Sequence, residues 1–357
     1  MDPSAVRSVA DKQAIANVLA VHSRGIDRRD EALLRSAYHD DGAVAYGFFD
    51  GPAADFCRIL TQGLAGQPIT THRSALPWIK LDGDRAKSET YVVAYVELPL
   101  PTGAVQCLIG GRYLDHLERR DGAWRITLRT YVLDWNVNQP STVSWNDGMY
   151  AQLNIRGAAG EADPSRALFS GWLEGAAAGH SSSRGAGDAA GLAASVDKQA
   201  LHDLLMAYGR AMDRTDEPLL RSIWHEGATV SYGIFDGDAQ EFSRFILESN
   251  RPLKRAAHSV VHEWFEIRGD QAVGEIYAFT FATAPGADGD EDSLVGGRFI
   301  DRFERRHGVW KITHRTFALD WAINQPCSVI WDGDLYGSLK LRGRSDTDDP
   351  VYAFWQG

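Results

Sequence analysis

The feature that most constrains this chain is that it contains itself twice. DKQA at Asp11 returns at Asp197, and DRRDEALLRS at Asp27 returns as DRTDEPLLRS at Asp213. GGRYLDHLERRDGAW at Gly110 returns as GGRFIDRFERRHGVW at Gly296. Each pair lies 186 residues apart, and the offset still holds between Trp145 and Trp331. A constant period this long signals duplication of a whole domain, since stacked solenoid repeats run at about 20–45 residues. The 357 residues therefore suit two domains of roughly 150 residues each. Between the copies lies GWLEGAAAGHSSSRGAGDAAGLAAS, residues 171–195, a Gly/Ala/Ser-rich stretch that reads as a flexible linker. The expected domains are 1–170 and 196–357.

The balance of side chains narrows the class of partner. An apolar fraction of 44% and a charged fraction of 24% are those of a globular chain. A net charge of −11 without any basic run argues against nucleic acid, whose phosphates attract Lys/Arg patches. The opening MDPSAVRSVADKQ has no charged-then-apolar leader pattern. No stretch approaches the roughly 18 apolar residues of a membrane span. Cys57, Cys107 and Cys327 are odd in number and widely spaced, which fits buried thiols rather than a disulfide framework. The expectation is a cytoplasmic protein with no nucleic-acid or membrane partner.

Each copy has the same layout. DKQAIANVLAVHSRGID places Ile15, Val18, Leu19 and His22 at helical spacing, and EALLRSAY continues as a second helix. GAVAYGFFDG reads as a short strand with an Asp-Gly turn into a helix around Phe56. Strand candidates follow around Trp78–Leu81, in ETYVVAYVEL and in CLIGGRYLDHLERR, and an Asp121-Gly122 hairpin turn leads into WRITLRTYVLDW. Helices first and antiparallel strands afterwards predict an α+β fold with helices against one curved sheet. The concave face of such a sheet is where a ligand fits.

The most suggestive polar set is Asp27, His72 and Arg129, repeated as Asp213, His258 and Arg315. A histidine can take a proton at neutral pH, and a carboxylate can fix its tautomer and stabilise the imidazolium. An arginine can stabilise negative charge on a leaving group or enolate. Tyr208 precedes Asp213 as a phenolic donor, where the first copy has His22. The plainer alternative is that each Asp caps a helix or pairs with Arg28 or Arg214, and that each His is a satisfied core residue. Duplication copies structural residues as faithfully as catalytic ones, so both readings stand at this stage.

Gly110-Gly111 and Gly296-Gly297 sit inside strand patterns, where glycine marks a bulge or sharp bend and no phosphate loop is expected. His258 and His262 are four apart on a strand with no third ligand, so no metal site is expected. Tyr46, Trp78, Tyr113 and Trp135, with Tyr232, Trp264, Phe299 and Trp321, either line an apolar pocket or fill the core. His22 and His262 join them as candidate substrate contacts. The runs from Asp134 to Pro140 and from Asp320 to Pro326 read as strand ends stopped by proline.

Taken together, the DKQAI helix, D-R-x-D, the Tyr-Gly-x-Phe-Asp-Gly strand, the strand histidine and GGRY…ERRDG-W resemble the SnoaL-like proteins. These belong to the nuclear transport factor 2-like superfamily, with scytalone dehydratase, ketosteroid isomerase and polyketide cyclases. The resemblance covers nearly all of both copies and implies a cone of bent sheet and helices, open at one end. Within the superfamily the chain looks most like the hexachlorocyclohexane dehydrochlorinase and bile-acid dehydratase type. There an Asp–His dyad removes a proton and an Arg assists the leaving group, roles that would fall on Asp27, His72 and Arg129, and on Asp213, His258 and Arg315. The catalytic Tyr of the dehydratase type is matched by Tyr208 alone, and His22 is the departure in the first copy.

The resemblance implies no redox cofactor or metal, and an intrachain pseudo-dimer with room for further self-association. The leading expectation is a cofactor-independent lyase acting on a hydrophobic aromatic or polycyclic molecule, expelling water, another small group or a one-carbon fragment. An isomerase or polyketide-cyclase-type enzyme needs the same proton transfer. A non-catalytic binding or assembly module is the competing class, and it predicts a filled cone with Asp and His out of hydrogen-bond reach.

Overall fold

A computed structural model describes residues 3–62, 70–143, 145–146, 148–169, 172, 188–328, 343–350 and 352–353. The first copy runs α1 (Pro3–Asp27), α2 (Glu31–Ser36), β1 (Tyr38–Ala45), β2 (Asp50–Pro52), α3 (Ala53–Gln62), β3 (Thr70–Ser74) and β4 (Trp78–Asp82). It continues through β5 (Arg85–Leu100), β6 (Gly103–Arg120) and β7 (Ala123–Pro140), then short helices α4 (Gly148–Gln152) and α5 (Pro164–Phe169). The second copy repeats the order with α6 (Asp188–Arg214), α7 (Glu217–Ser222), β8 (Trp224–Ser231), β9 (Asp236–Asp238) and α8 (Ala239–Asn250). Its long strands are β10 (Arg255–Arg268), β11 (Gln271–Gly286), β12 (Gly289–Arg306) and β13 (Val309–Pro326).

The fold is α+β, with two mixed sheets, neither of them closed. One follows the order β2-β1-β7-β6-β5-β3, with β4 also on β5, and the other β10-β11-β12-β13-β8-β9. Long hairpins make both sheets mostly antiparallel, while β1 runs parallel to β7 and β8 parallel to β13. The chain divides into two compact units. The first holds Met1–Ser141, Arg156–Ala200 and Val261–Ile276, and the second Thr142–Ile155, Leu201–Val260 and Tyr277–Gly357. In the first, α1 packs on β3 and β7, and α3 on β1, burying Ile15, Leu19, Phe56, Leu117 and Ile126. In the second, Leu201, Leu205, Phe242, Phe303 and Ile312 are buried in the same way.

Several sequence signals materialise at the level of single turns. Asp121 and Gly122 both take positive φ, 53° and 80°, as the tight β6–β7 hairpin requires, and His307-Gly308 does the same at 53° and 81°. The ladder slips by one residue between Gly110 and Gly111 and again between Gly296 and Gly297, the extra residues being Asp134 and Asp320 on the facing strands. A Cβ on Gly111 would lie 2.5 Å from the Val132 carbonyl oxygen, so the strand can bend there only because no side chain intervenes. β7 and β13 end at Pro140 and Pro326, as expected.

Other details differ. Asp50-Gly51 is no turn but belongs to β2, and the reversal lies earlier, where Tyr46 N–H donates to Phe49 O. Gly47, at φ 82°, makes that earlier reversal possible. Residues 188–195, expected as linker, open α6, because DAAGLAAS is rich in the best helix former. The rest of the expected linker, apart from Trp172, lies outside the described residues, as does Trp331. Among the described residues no helix is long and apolar enough to cross a membrane.

Candidate active site

The first unit builds its site at the end of α1. Arg28 N–H donates to Arg24 O and Asp30 N–H reaches back to Gly25 O, with Arg29 between them at φ 49°. This is a Schellman-type helix stop, in which the residue before the chain reverses takes the left-handed conformation. It leaves Asp27 in the final turn, buried and aimed at β3. The Asp27 carboxylate accepts the backbone N–H of His72, at 2.9 Å to Oδ2 and 3.1 Å to Oδ1. Its Oδ1 also lies 2.6 Å from His72 Nδ1. Facing that oxygen, Nδ1 is the donor, which leaves Nε2 as the ring nitrogen away from the aspartate. The second unit repeats this arrangement. Thr215 takes φ 54°, Asp216 N–H donates to Ala211 O, and Asp213 Oδ1 lies 2.9 Å from His258 N and 2.7 Å from His258 Nδ1.

The arginines are fully buried. Arg129 donates through Nε and Nη2 to Asp115 at 2.7 and 2.8 Å, and Arg315 to Asp301 at 2.8 and 2.6 Å. Burial works against these charges, but each aspartate holds its guanidinium above its ordinary value. Each guanidinium also hydrogen-bonds a phenol, Arg129 that of Tyr46 and Arg315 that of Tyr208. Arg129 lies 4.1 Å over the Tyr113 ring, and Arg315 lies 4.1 Å over Phe299 and 4.4 Å over Tyr208. A cation held over aromatic faces can stabilise a departing oxyanion or halide.

One position bridges dyad and arginine. In the second unit Tyr208 stands edge-on to His258, with ring centroids 6.4 Å apart, and its hydroxyl lies 3.1 Å from that of Tyr232. Burial raises the Tyr208 phenol, so it remains a proton donor. In the first unit His22 takes this position, fully buried and edge-on to Tyr38 and Tyr113. Burial, with the nearby Arg129 and His72, drives His22 well below its ordinary value and keeps it neutral. Around these residues stand Tyr46, Tyr113 and Tyr131 in the first unit, and Tyr232, Phe299 and Phe317 in the second.

Asp27, His72, Arg129, His22, Tyr46 and Tyr113 thus converge, as do Asp213, His258, Arg315, Tyr208, Tyr232 and Phe299. Three expected contacts do not join them. Trp78 is 64% exposed, with the Lys80 ammonium 4.7 Å over its ring. Side chains alternate along a strand, and on β4 it is Ile79 that points inward. Trp264 is core, stacked 4.7 Å from Phe169. His262 accepts Ser74 N–H on Nδ1 at 3.2 Å, and burial lowers it to about 3. Both lie on the part of β10 that belongs to the first unit. The side chain of Trp135 lies outside the described residues, and Trp321 is buried against Gly296.

Sequence reasoning missed Asp115 and Asp301, which hold the arginines, and the ring residues Tyr38, Tyr131, Trp224 and Phe317. The available signal was a carboxylate in the middle of each GGR[YF] strand, repeated at the offset of 186.

A SnoaL-like domain model matches residues 7–130 and again residues 193–316. No curated protein matches the chain. Among solved structures, the chain is similar to the hexachlorocyclohexane dehydrochlorinase LinA-type3 from Novosphingobium barchaimii LL02. The identity is 19% and the TM-score 0.35, over 40% of this chain and 97% of that one. A Kribbella flavida protein, Kfla4162, aligns at 16% identity and TM-score 0.34, over 36% and 95% of the two chains. A cystatin-like-fold protein of unknown function from Nostoc punctiforme PCC 73102 aligns at 17% and 0.30, over 35% and 91%. Likeness at this level does not carry an activity over.

Proposed function

The chain belongs to the SnoaL-like family, and from that premise we propose a cofactor-independent lyase acting on a hydrophobic aromatic or polycyclic small molecule. The observation that supports it is the Asp–His contact in both units, at 2.6 and 2.7 Å, with the carboxylate also clamped by the histidine's own N–H. Such a clamp fixes ring orientation and tautomer together. The competing binding-module reading expects this pair out of hydrogen-bond reach.

In this reading Nε2 of His72 or His258 takes a proton from a carbon next to the leaving group. The C–H electrons become the second bond of a C=C, and the C–X bond breaks with its electron pair on X. Asp27 or Asp213 stabilises the imidazolium, and Arg129 or Arg315 stabilises departing X. In the second unit Tyr208 can supply the proton that releases X as water. The same base acting on a hydroxyl would let the O–H electrons form a C=O as the adjacent C–C bond breaks, its electron pair staying on the carbon that departs, which takes the proton back from the imidazolium and leaves as a one-carbon fragment. The aromatic lining of both sites suits a flat, apolar substrate.

The test is mass spectrometry of the protein incubated with a panel of aromatic and polycyclic alcohols, beside a variant carrying Asp27→Asn and Asp213→Asn. An asparagine facing Nδ1 disfavours the required tautomer, so turnover should fall by about 10³–10⁴-fold. A mass loss that disappears in the double variant is the expected result. Product at unchanged mass would replace the lyase with an isomerase or cyclase, and ligands bound without any product would favour the binding module.

A further inference from the structure

The two sites have the same frame but not the same hydrogen-bonding state. In the second unit the polar groups of the lining are largely spoken for. Tyr208 and Tyr232 share a hydrogen bond between their hydroxyls, and Trp224 Nε1 donates to Ser243 Oγ at 3.1 Å. Phe299 and Phe317 complete the ring cluster with no polar atom at all. At the matching places of the first unit stand His22, Tyr46, Tyr38, Tyr113 and Tyr131, and Cys57 replaces Ser243.

That exchange leaves polar atoms stranded. Both ring nitrogens of His22 and the hydroxyl of Tyr38 are buried without a hydrogen-bond partner, whereas the Tyr46 phenol is matched by Arg129. They belong to one cluster. His22 lies 5.6 Å, centroid to centroid, from both Tyr38 and Tyr113, and Tyr46 lies 6.4 Å from Tyr113. Buried polar groups in folded proteins are nearly always paired, and each exception costs free energy. Two adjacent side chains breaking this rule are matched when a ligand brings the partners. A neutral imidazole offers one donor and one acceptor, and the Tyr38 phenol a donor and an acceptor. Oxygens meet the donors and hydroxyl hydrogens meet the acceptors, so the matching ligand is hydroxylated more than once.

The geometry points to a division of labour: the first unit takes a ring system carrying two or more hydroxyl or carbonyl oxygens, and the second a less oxygenated one. This rests on the reading that the dyads face a substrate, and it goes beyond it by assigning different substrates to the two copies.

The test reads binding and needs no turnover. Calorimetry of the full chain with 2,7-dihydroxynaphthalene and with 2-naphthol gives a diol-over-naphthol affinity ratio, repeated on the variant Tyr38→Phe. Losing the hydroxyl should lower that ratio by about tenfold or more. The thermal midpoint should stay level or rise, since the Tyr38 hydroxyl has no partner to lose. An unchanged ratio overturns the proposal, and so does a wild-type chain that binds no diol. A fall in both affinities together with a lower midpoint also overturns it, because the hydroxyl would then be structural. If the ratio holds while Asp27→Asn/Asp213→Asn abolishes turnover, only this inference fails. If the ratio falls but no substrate ever changes mass, only the lyase reading fails.

Discussion

At the scale of single residues, the charged centre of the first unit turns on Asp115. It supplies the carboxylate for a guanidinium that is wholly buried, and removing one partner of such a pair strands the other. Asp115→Asn should therefore lower stability by about 3–5 kcal/mol, read from the urea midpoint. A loss under about 1 kcal/mol would mean that Arg129 behaves as a surface charge. The Asp–His dyads were legible in the sequence because both members recur at one offset and have complementary chemistry. Asp115 was not, and the ladder shows why. Counting back from the Asp121-Gly122 turn, an unbroken register would set Asp115 opposite Leu128. The bulge between His116 and Leu117 moves it opposite Arg129 instead. The same slip, between Arg302 and Phe303, brings Asp301 to Arg315. A bulge of one residue is not written in alternation alone. Trp78 failed for the opposite reason: its strand was read correctly but its face was not.

At the scale of elements, the two helix stops that present the dyad aspartates use non-glycine residues in the left-handed region. Thr215, at φ 54°, is β-branched, for which that conformation is a genuine outlier. Glycine adopts it freely but loses more entropy on folding, so the strain relief is partly offset. Thr215→Gly should raise stability by about 0.5–1 kcal/mol, measured by chemical unfolding, and leave the Asp213–His258 contact in place. A destabilised variant would show that the threonine side chain contributes more than its backbone strain costs. Helices and hairpin turns were legible because each depends on a few neighbouring residues, and the glycine pairs mark where the ladder slips although the extra residues lie on the facing strands. The break between β3 and β4 was not. There Ser74 pairs with Val92 and Trp78 with Glu89, so one extra residue is accommodated around Pro77. Proline cannot donate to the ladder, but where the strand resumes is set by its neighbour.

At the scale of the whole molecule, the period of 186 foretells two sheets of one topology, because duplicated sequence carries duplicated local rules. It does not foretell that the compact units draw segments from both copies. One consequence of this partition is measurable with acid. His22 and His262 both lie in the first unit and are both held neutral by burial, His262 at about 3. Below the ordinary histidine value near 6.5 the unfolded chain binds protons that the folded chain refuses. Stability contributed by keeping these rings neutral is therefore complete above about pH 6.5 and lost progressively as pH falls toward 3. Each such histidine adds a slope of about 1.4 kcal/mol per pH unit across that window. Unfolding free energies measured from pH 5 to 7.5 should be flat at the upper end and fall below about pH 6. His22→Phe removes one titrating ring whose nitrogens have no partner to lose, so it should flatten the slope by about one histidine's share. It should also leave the plateau level or higher. A slope that His22→Phe does not change would mean that the folded protein protonates His22 freely. The imidazole would then act as a second cation beside Arg129, not as the neutral donor and acceptor that an oxygen-rich ligand requires.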